Sequence, residues 1–402
     1  MSAIWERNMF EGRCIVLGVT GSISAYKAID LASKLTQAKV DVDVIMTESA
    51  TRFVTSLSFQ SITHRPVYID MWVPVTDFNI KHVSLAERAD AIVIAPATAN
   101  TIARIANGIA DDLLECTVLS TRAPIIIAPA MDVGMYQNDA TQENLEKLRS
   151  RGHTIVGPAS GRLASGLEGP GRLVEVPELQ AAIYQVLGRS GDLAGKQIVI
   201  TSGGTQEPID PVRYIGNHSS GKMGAAIAEA ARDRGATVTL INAVTSVHSP
   251  LGIEIVKAQT AQEMREAVLE KTVSADILIM AAAVADYRPQ RIATGKIKRK
   301  SEGMTLELTK TTDIVSEVSG KALKIGFAAE SEDLVENATG KLKAKGLDFI
   351  IANDITADDS GFDADTNRVT IIDKSGNQEE LPLMAKLEVA HKILDRVVKL
   401  LR

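Results

Sequence analysis

The chain has 402 residues, of which 45% are hydrophobic and 23% charged, and its formal net charge at pH 7 is -6. This length predicts roughly two to three domains, each able to bury a core. The acidic balance argues against a general nucleic-acid binder, which is usually basic. Two cysteines are too few for a disulfide framework. Because there is no signal-peptide pattern and no apolar run of about 18 residues, we expect a cytoplasmic protein with no membrane span.

The first half of the chain alternates short apolar runs with segments of helical spacing. Near-continuous apolar character is typical of strands whose two sheet faces are covered by helices. The predicted strands are Cys14–Val19, Val40–Thr47, Ala91–Ala97, Pro124–Ala130 and Thr154–Val156. Helical spacing is present in Ser24–Thr36 and in Thr98–Leu114. The repeated order of strand and helix predicts a doubly wound parallel sheet.

The alternation of predicted strands and helices begins again after Leu187–Gly195, a polar, Gly-rich stretch that is typical of a linker. The strands predicted beyond it are Lys196–Ser202, Thr237–Asn242, Ile253–Lys257, Ala275–Met280, Ile325–Ala328, Asp348–Ala352 and Arg368–Asp373. The pattern of Thr260–Glu263 predicts a capping box at the start of a helix. We therefore expect two α/β domains, residues 1–189 and 190–402, each a doubly wound parallel sheet.

A first Gly-rich turn, Thr20–Ser24, joins the first strand to its helix. Small residues let the backbone approach a phosphate, and the first N–H groups of the helix point towards it. The alternative is a tight turn that needs Gly21 only for its dihedral angles. The pattern Gly-x-Gly-x-x-Gly is absent here, so a mononucleotide fits better than a dinucleotide.

Polar residues follow other predicted strands of this half. Thr47, Thr98 and Asn100 stand at strand ends, where ligands bind in doubly wound folds. His82 is a candidate acid or base, although a lone histidine is more often a helix-start or surface residue. The segment Gly157–Arg172 contains five glycines and is either a mobile flap over a site or a plain surface loop.

The second half has its own Gly-rich turn, Ser202–Thr205, which is suited to binding a phosphate. A second Gly- and Ser-rich segment, Gly216–Met223, follows it. The latter nearly matches the Walker pattern, but Met223 replaces the hydroxyl residue that would bind Mg²⁺, and no strand immediately precedes it. A Ser-rich helix start that binds an anion is the better interpretation, because the helix predicted over Gly221–Arg234 follows directly.

Cations of the second half suit a phosphorylated ligand. Lys296–Lys300 places four cations in five residues, either as a solvated face or as a strap that contacts a triphosphate or carboxylate. Lys341 and Lys345 would share one face of a helix. Asp286 follows the apolar strand end at Ala281–Ala285.

Taken together, the motifs resemble the bacterial bifunctional phosphopantothenoylcysteine decarboxylase / phosphopantothenate–cysteine ligases of coenzyme A biosynthesis. The resemblance covers essentially the whole chain and is most specific in Thr201–Gly224. Further matching blocks in the second half are Ala282–Arg288, Lys296–Arg299, Gly326–Glu330 and Ala352–Asp354. Blocks similar to flavin-containing cysteine decarboxylases are Gly18–Ile23, Ala95–Asn100, Pro129–Met135 and Gly169–Arg172.

The resemblance implies that the first domain is flavodoxin-like and binds FMN. Residues implied around the flavin are Gly21, Ser22, Ile23, Thr47, Thr98 and Asn100. His82 would be the base that prepares the cysteinyl thiol for oxidation. The oxidised sulfur centre then accepts the electrons left by departing CO₂, and the flavin finally returns its electrons to the product.

Two positions depart from the commonest family pattern. Asp132 stands where an Asn often binds the substrate carboxylate beside Met135, and an ionised Asp132 would repel that group. Either the pKa of Asp132 is raised or another group holds the substrate. Ser165 replaces a flap cysteine that returns a proton, and a hydroxyl is a weaker acid. These departures keep one alternative open, an active ligase beside an inactive or scaffolding flavin domain.

For the second, Rossmann-like domain the resemblance implies a ligase that uses CTP and Mg²⁺. The carboxylate of 4'-phosphopantothenate would attack the α-phosphate, and the amine of cysteine would then displace CMP from the acyl-cytidylate. Asn217 would hold this intermediate and Lys296 would stabilise charge. The implied CTP site comprises Met280, Ala281, Ala282, Asp286, Thr312, Asp313, Ile314, Val315, Phe327, Lys341 and Lys345. The sequence assigns no metal ligands.

The resemblance also bears on partners. The implied ones are small molecules, namely 4'-phosphopantothenate, cysteine and 4'-phosphopantothenoylcysteine, with no nucleic acid and no membrane. Trimers of flavin domains and dimers of ligase domains, possibly combined in a dodecamer, are expected by resemblance. A non-enzymatic flavin- or nucleotide-sensing module is a second rival. The combination of Asn217, Lys296 and Asp286 argues against it, because sensing needs no activating lysine.

Overall fold

The structure is a computed structural model that describes residues 10–72, 80–298, 304–330, 334–354 and 364–401. The chain divides into two compact units, Met1–Leu187 and Gly188–Arg402. Each unit is an α/β domain with its own sheet and its own apolar clusters.

The first unit contains eight strands and eight helices within its described residues. The strands are β1 (Cys14–Val19), β2 (Asp41–Met46), β3 (Val67–Tyr68), β4 (Ala91–Ala97), β5 (Ile125–Pro129), β6 (Thr154–Ile155), β7 (Ala159–Arg162) and β8 (Glu168–Arg172). The helices are α1 (Ala25–Gln37), α2 (Ser56–Thr63), α3 (Lys81–Arg88), α4 (Ala99–Asn107), α5 (Leu113–Ser120), α6 (Val133–Gln137), α7 (Asp139–Ser150) and α8 (Val176–Leu187).

The first sheet is parallel throughout and has the order β3-β2-β1-β4-β5-β6. Strands β1, β4 and β5 are buried along their whole length, as expected for strands between two helical layers. From β1 the chain adds β2 and β3 on one side of the sheet, and it then crosses over to add β4, β5 and β6 on the other side. The switch point lies between the neighbouring strands β1 and β4. The prediction of a doubly wound, flavodoxin-like domain is confirmed, and its ligand crevice is expected at this switch point.

Two segments of the first unit differ from the sequence prediction. The stretch Thr98–Leu114 is not one helical segment, because α4 ends at Gly108 with a left-handed φ of 69° and α5 begins after the N-cap Asp112. The Gly-rich segment Gly157–Arg172 is an antiparallel hairpin of β7 and β8, so it has more regular structure than either a loose flap or a plain loop.

The second unit contains twelve strands and five helices within its described residues. The strands are β9 (Gln197–Ser202), β10 (Gln206–Pro208), β11 (Tyr214–Gly216), β12 (Thr237–Asn242), β13 (Glu254–Lys257), β14 (Ile277–Met280), β15 (Tyr287–Pro289), β16 (Leu308–Lys310), β17 (Leu323–Glu330), β18 (Phe349–Asp354), β19 (Thr366–Asp373) and β20 (Gln378–Ala385). The helices are α9 (Lys222–Asp233), α10 (Ala261–Lys271), α11 (Ile314–Glu317), α12 (Leu334–Ala344) and α13 (Lys386–Leu401).

The second sheet has the order β13-β12-β9-β14-β17-β18-β19-β20 and is mixed. Its first six strands are parallel, but β18, β19 and β20 pair antiparallel. The prediction of a wholly parallel second sheet was therefore wrong at this edge. A short turn between β19 and β20 leaves no room for the crossover that a parallel pair requires. Two small two-stranded antiparallel sheets, β10–β11 and β15–β16, lie outside this sheet.

Helices cover both faces of the second sheet. Phe349 and Ile351 of β18 pack in the cluster that contains α9 and α13. Their neighbours Ile350 and Ala352 pack in the opposite cluster with α10 and α12. This strict alternation places the next residue along the strand, Asn353, on the α9 and α13 face. The predicted capping box of α10 is formed by Thr260 and Glu263.

Candidate functional sites

A cavity of about 760 Å³ lies at the carboxyl edge of the second sheet. Its lining is drawn from the ends of β14 and β17, the start of α9 and the chain after β16. Among the residues named in the sequence analysis for the ligase, the lining includes Asn217, Met280, Ala281, Ala282, Asp286, Thr312, Asp313, Ile314, Val315, Phe327, Lys341 and Lys345. Lys296, which is exposed, does not line the cavity as the described residues define it.

The two Gly-rich segments of this unit form one structure. The Asn217 backbone passes so close to Gly204 that a Cβ on Gly204 would lie 2.4 Å from the Asn217 carbonyl oxygen. The side-chain amide of Asn217 donates to the carbonyl of Val284, 3.1 Å away, on the loop after β14. Glycine at position 204 is thus required for the approach that brings Asn217 beside the strand end.

Lys296 is positioned by a group that the sequence analysis did not single out. The backbone N–H of its neighbour Ile297 donates to Asp210 Oδ2 at 3.1 Å, and Arg213 Nη2 donates to the Ile297 carbonyl at 2.6 Å. Burial disfavours the charged form of Asp210, but hydrogen bonds from Val212, Ile297 and Arg213 outweigh it and hold the pKa of this carboxyl well below its usual range. An ionised Asp210 therefore anchors the Lys296 segment.

Both candidate phosphate-binding lysines line the cavity at the end of α12. Lys341 lies in the last turn of this helix and Lys345 follows it directly. Lys345 Nζ is 3.4 Å from Asp313 Oδ1, so the helix end is tied to the chain after β16. Thr311 holds that chain to the Asp286 loop through its N–H, 2.9 Å from the Asp286 carbonyl oxygen. Residues far apart in sequence are thus brought to one wall.

The lining also includes polar residues that the sequence analysis assigned no role. Asn353, Asn367 and Lys386 contribute to it, each more than nine-tenths buried. Asn353 stands in the block Ala352–Asp354 that carried part of the resemblance, which is the one signal that could have found it. Asn367 is the second residue of β19 and Lys386 is the first residue of α13, and their position beside the cavity is visible only in the folded chain.

A second cavity, of about 850 Å³, lies at the carboxyl edge of the first sheet. Its lining includes Gly21, Thr47, Thr98, Asn100 and Met135 from the sequence-predicted set. It therefore occupies the switch point between β1 and β4. The lining also contains Ile69 and Trp72, which are exposed and which the sequence analysis missed.

The turn after β1 is fixed by close packing and hydrogen bonds. A Cβ on Gly21 would lie 2.5 Å from Cβ of Ser49, so glycine is needed there for space. Buried Thr20 donates to the Pro96 carbonyl at 2.6 Å and accepts from the N–H of Thr98 at 3.1 Å. Thr98 in turn caps α4. The switch-point strands are thereby tied together at the cavity floor.

Other predicted residues of this unit lie outside that lining, as far as the described residues define it. Ser22 and Ile23 follow Gly21 on the same turn, with Ile23 64% exposed. Half-buried His82 lies in the first turn of α3. Its neighbour Lys81 donates to the carbonyl of Asp70, a lining residue, at 3.3 Å. The first turn of α3 is thus tied to the cavity wall, but His82 itself does not line it.

Asp132 and Ser165 are also outside the lining, and they contact each other. The Ser165 hydroxyl donates to Asp132 Oδ2 at 2.6 Å, and the N–H of Gly134 donates to Oδ1 at 3.1 Å. These two hydrogen bonds lower the pKa of Asp132 below its ordinary value. Of the two alternatives given for this position, a raised pKa of Asp132 is contradicted, and binding of the substrate carboxylate by another group stays a prediction.

The chain is similar to known proteins over most of its length. Residues 4–188 match a family described as Flavoprotein, and residues 193–401 match one described as DNA/pantothenate metabolism flavoprotein C-terminal domain. The coenzyme A biosynthesis bifunctional protein CoaBC of Bacillus subtilis (strain 168) is 46% identical over 398 residues, covering 98% of both chains. The chain belongs to the family of bifunctional coenzyme A biosynthesis proteins.

Other members of the family match over a similar length. The CoaBC protein of Mycobacterium tuberculosis (strain CDC 1551 / Oshkosh) is 40% identical over 406 residues, 96% of each chain. A solved C-terminal domain of a CoaBC protein is 42% identical and covers 53% of this chain and 98% of its own, with a TM-score of 0.46. A PPC decarboxylase mutant complexed with pantothenoylaminoethenethiol is 30% identical over 43% of this chain and 97% of its own, with a TM-score of 0.40.

Membership of this family confirms the prediction of a bifunctional decarboxylase and ligase of coenzyme A biosynthesis, with a flavoprotein domain as its first half. The alternative with an inactive or scaffolding flavin domain is not favoured. In the part of the chain that the structure describes, no helix is both long and apolar enough to cross a membrane.

Proposed function

We propose that the second domain uses CTP and Mg²⁺ to join cysteine to 4'-phosphopantothenate, and that the first uses FMN to decarboxylate the product to 4'-phosphopantetheine. The observation that carries the ligase half is the cavity at the carboxyl edge of the second sheet. The candidate residues named for the ligase line that one cavity, apart from Lys296. Their convergence from separate strand ends is typical of a ligand site in an open α/β sheet.

The charges of this cavity suit a reaction between two anions. A carboxylate that attacks a triphosphate must overcome repulsion, and Lys341 and Lys345 supply positive charge on the cavity wall. The start of α9 adds N–H groups and the positive end of a helix dipole at Ser219–Lys222. We propose that the triphosphate lies between these groups, with Met280–Ala282 and Phe327 beside the base.

Mg²⁺ fits this arrangement as an ion that arrives with the nucleotide. Magnesium commonly keeps several waters and binds substrate phosphates together with one or two carboxylates. Asp286 and Asp313 are carboxylates of the lining. When bound, the ion would neutralise phosphate charge, and the chain's own contribution would be to orient the triphosphate.

Asn217 and Lys296 are proposed to act on the acyl-cytidylate. The Asn217 amide is held beside the cavity by its hydrogen bond to Val284. Lys296 lies on the segment anchored by Asp210 and Arg213. A cation there would stabilise negative charge on the acyl group and the leaving phosphate as amide formation proceeds.

The first cavity fits a flavin mononucleotide. Gly21 leaves space against Ser49, and Thr47, Thr98 and Asn100 supply hydroxyl and amide groups around the phosphate-friendly turn. When bound, FMN would supply the two-electron chemistry that weakens the carbon–carbon bond to the leaving carboxylate. The protein would position the cysteinyl end of the substrate, with His82 accepting the thiol proton.

The ionised Asp132 limits how the substrate carboxylate is bound. Because its pKa is lowered, it would repel a second carboxylate at neutral pH. We propose that another donor holds the substrate carboxylate and that Asp132 instead fixes Ser165 and the hairpin that carries it.

We further propose a cytoplasmic homo-oligomer in which flavin domains associate beside the first cavity. Trp72 is 81% exposed and Met135 51% exposed, although both line that cavity. Large apolar side chains exposed at a ligand site are typical of a surface that a further subunit covers.

Two assays on the purified full-length protein test the proposal. With 4'-phosphopantothenate, cysteine and Mg²⁺, CTP should yield pyrophosphate and CMP, with ATP as the comparison nucleotide. With 4'-phosphopantothenoylcysteine, the yellow protein should release CO₂ and form 4'-phosphopantetheine. Absence of flavin absorbance would contradict the first-domain assignment, and equal turnover of ATP would contradict the choice of CTP.

A further inference from the structure

Strand β2 carries a carboxylate in the interior of the first unit. Asp43 is fully buried, and its two oxygens accept hydrogen bonds from three residues. Arg65 Nε donates to Oδ1 at 2.7 Å, whereas Arg88 Nη2 and the Cys14 thiol both donate to Oδ2, the thiol at 3.4 Å. A charge buried this deeply is costly unless it is paired, so the elements that reach Asp43 are held to it.

The three donors to Asp43 come from different parts of the unit. Burial, and then the negative charge of Asp43, raise the pKa of the Cys14 thiol to about 12, so this β1 side chain stays protonated at neutral pH. Arg65 lies between α2 and β3, whereas Arg88 is the last residue of α3. One of the two ion pairs of Asp43 therefore ties the carboxyl end of α3 to the sheet.

Helix α3 is short and has a small apolar face. Two of its eight residues, Leu85 and Ala86, are buried. A helix of this length is marginal by itself, so tertiary contacts decide where it lies. Polar contacts hold both of its ends, because Lys81 donates to the wall of the first cavity and Arg88 pairs with Asp43.

His82 lies at the opposite end of α3 from Arg88. Residues three and four positions apart share one side of a helix, so His82 is on the same side as the buried Leu85 and Ala86. Its turn of the helix is tied to the wall of the first cavity through Lys81. The helix is about 12 Å long, and a rotation or tilt at its Arg88 end therefore moves the imidazole.

We propose that Arg88, held by Asp43, is a positioning residue for His82 in the decarboxylation reaction. This inference rests on the proposed role of His82 and deepens it by naming the residues that set the position of the base. In the step concerned, the substrate thiol proton passes to His82 and the sulfur keeps the electron pair. Arg88 and Asp43 do not contribute to the described lining of the flavin cavity, so they act through α3.

Proton transfer depends steeply on such positioning. A general base must lie within hydrogen-bond reach of the proton that it takes. A displacement of about 1 Å, caused by a substitution far from the reacting atoms, can cost about 10²-fold in rate. Loss of the Arg88 contact should therefore slow the reaction without changing how the substrate or the flavin is bound.

Arg88→Gln in the full-length protein tests the proposal. The Arg88 side chain is 44% exposed and Asp43 retains Arg65, so the fold should be kept. We expect kcat for CO₂ release to fall about tenfold or more, with unchanged flavin absorbance and an unchanged KM for 4'-phosphopantothenoylcysteine. CMP release at the ligase site should also be unchanged. An unaltered kcat, or a lower kcat accompanied by loss of flavin, would overturn the proposal.

Arg65→Gln is the matched control, because it removes the other guanidinium from the same carboxylate without changing α3. It should leave kcat near that of the unsubstituted protein. Equal losses in Arg65→Gln and Arg88→Gln would assign the effect to the underpaired charge of Asp43 and overturn the role of α3. Arg88→Lys should recover most of the lost kcat, since Arg88 contacts Asp43 through a single nitrogen. Absence of recovery would count against the inference.

The pH profile separates the positioning of a base from a general structural defect. An ordinary thiol has a pKa of about 8.5, so at higher pH the substrate loses this proton without help from His82. The kcat deficit of Arg88→Gln should therefore shrink as the pH rises from about 7 to about 9. A deficit that stayed constant over this range would show that Arg88 does not act through proton transfer.

His82→Asn distinguishes failure of this inference from failure of the proposed function. If His82→Asn retains decarboxylation, the proposed role of His82 as the base fails. If His82→Asn abolishes CO₂ release but Arg88→Gln keeps the full kcat, only the positioning role of Arg88 is wrong.

Discussion

Ser165 and Asp132 are joined by a hydrogen bond of 2.6 Å from the serine hydroxyl to the carboxylate. Both residues depart from the commonest pattern of the family that the chain resembles, and the structure shows that the two departures are in contact. The carboxylate accepts from Ser165 and from the N–H of Gly134, and its pKa is lowered. The hydroxyl that replaces a flap thiol is thus bound to a charged acceptor.

Asp132→Asn should strengthen binding of the substrate carboxylate because the substitution removes a negative charge. We expect KM for 4'-phosphopantothenoylcysteine to fall about threefold to tenfold at pH 7. Steady-state kinetics of CO₂ release will measure it. Ser165→Ala is the control, since it keeps the charge and removes only the hydrogen bond. A KM that rises in Asp132→Asn would show that the carboxylate helps to bind the substrate.

His82→Asn should abolish decarboxylation and spare the ligase, because the base acts only at the flavin domain. Loss of a general base typically costs about 10²- to 10⁴-fold in rate. CO₂ release and cysteine-dependent CMP release should be measured on the same preparation. His153→Asn is the matched control, since His153 is in the same domain but outside the described lining of the flavin cavity. Parallel loss of CMP release in His82→Asn would show that the two sites are not independent.

Asn217→Asp and Lys296→Gln should have the reverse effect and leave CO₂ release intact. Each places less favourable charge beside the acyl-cytidylate, and we expect amide formation to slow about 10²- to 10³-fold. Lys298→Gln, on the same segment and also exposed, should retain activity. If Lys298→Gln were as damaging as Lys296→Gln, the effect would belong to the general charge of the segment.

Asp210→Asn should destabilise the ligase domain and lower ligation by releasing the backbone beside Lys296. Because the folded-state pKa is depressed, the charged form stabilises the fold above the usual aspartate pKa, and this stabilisation is lost as the pH falls through the folded-state pKa. Thermal unfolding should thus show a lower midpoint for the variant at pH 7 and a smaller difference below pH of about 4.

Glu270→Gln, which removes an exposed carboxylate of the same domain, is the control for Asp210→Asn and should keep the midpoint near that of the unsubstituted protein. An Asp210→Asn deficit that stayed constant down to low pH would mean that the charge of Asp210 does not contribute to stability.

Local sequence patterns were enough to predict many residues of the two candidate sites. Gly21 and Gly204 were predicted by their position after apolar strands, and the structure supplies the reason, which is contact with Ser49 and with Asn217. The helix after Gly221 was predicted from its Ser-rich start and is observed as α9. Non-local relationships were not readable, since the contact of Asp210 with the Ile297 backbone joins positions far apart in the chain.

The sequence by itself determined that the chain forms two α/β domains, because buried parallel strands require continuous apolar runs that are visible in the sequence. It also determined which strand ends are polar. Only the tertiary structure decided that the last strands of the second sheet turn antiparallel, that Asp132 accepts a hydrogen bond from Ser165, and that Asn353 is left with an unpaired oxygen on a cavity wall. Strand pairing, hydrogen bonding and burial depend on distances between residues that are remote along the chain, and local sequence patterns do not contain those distances.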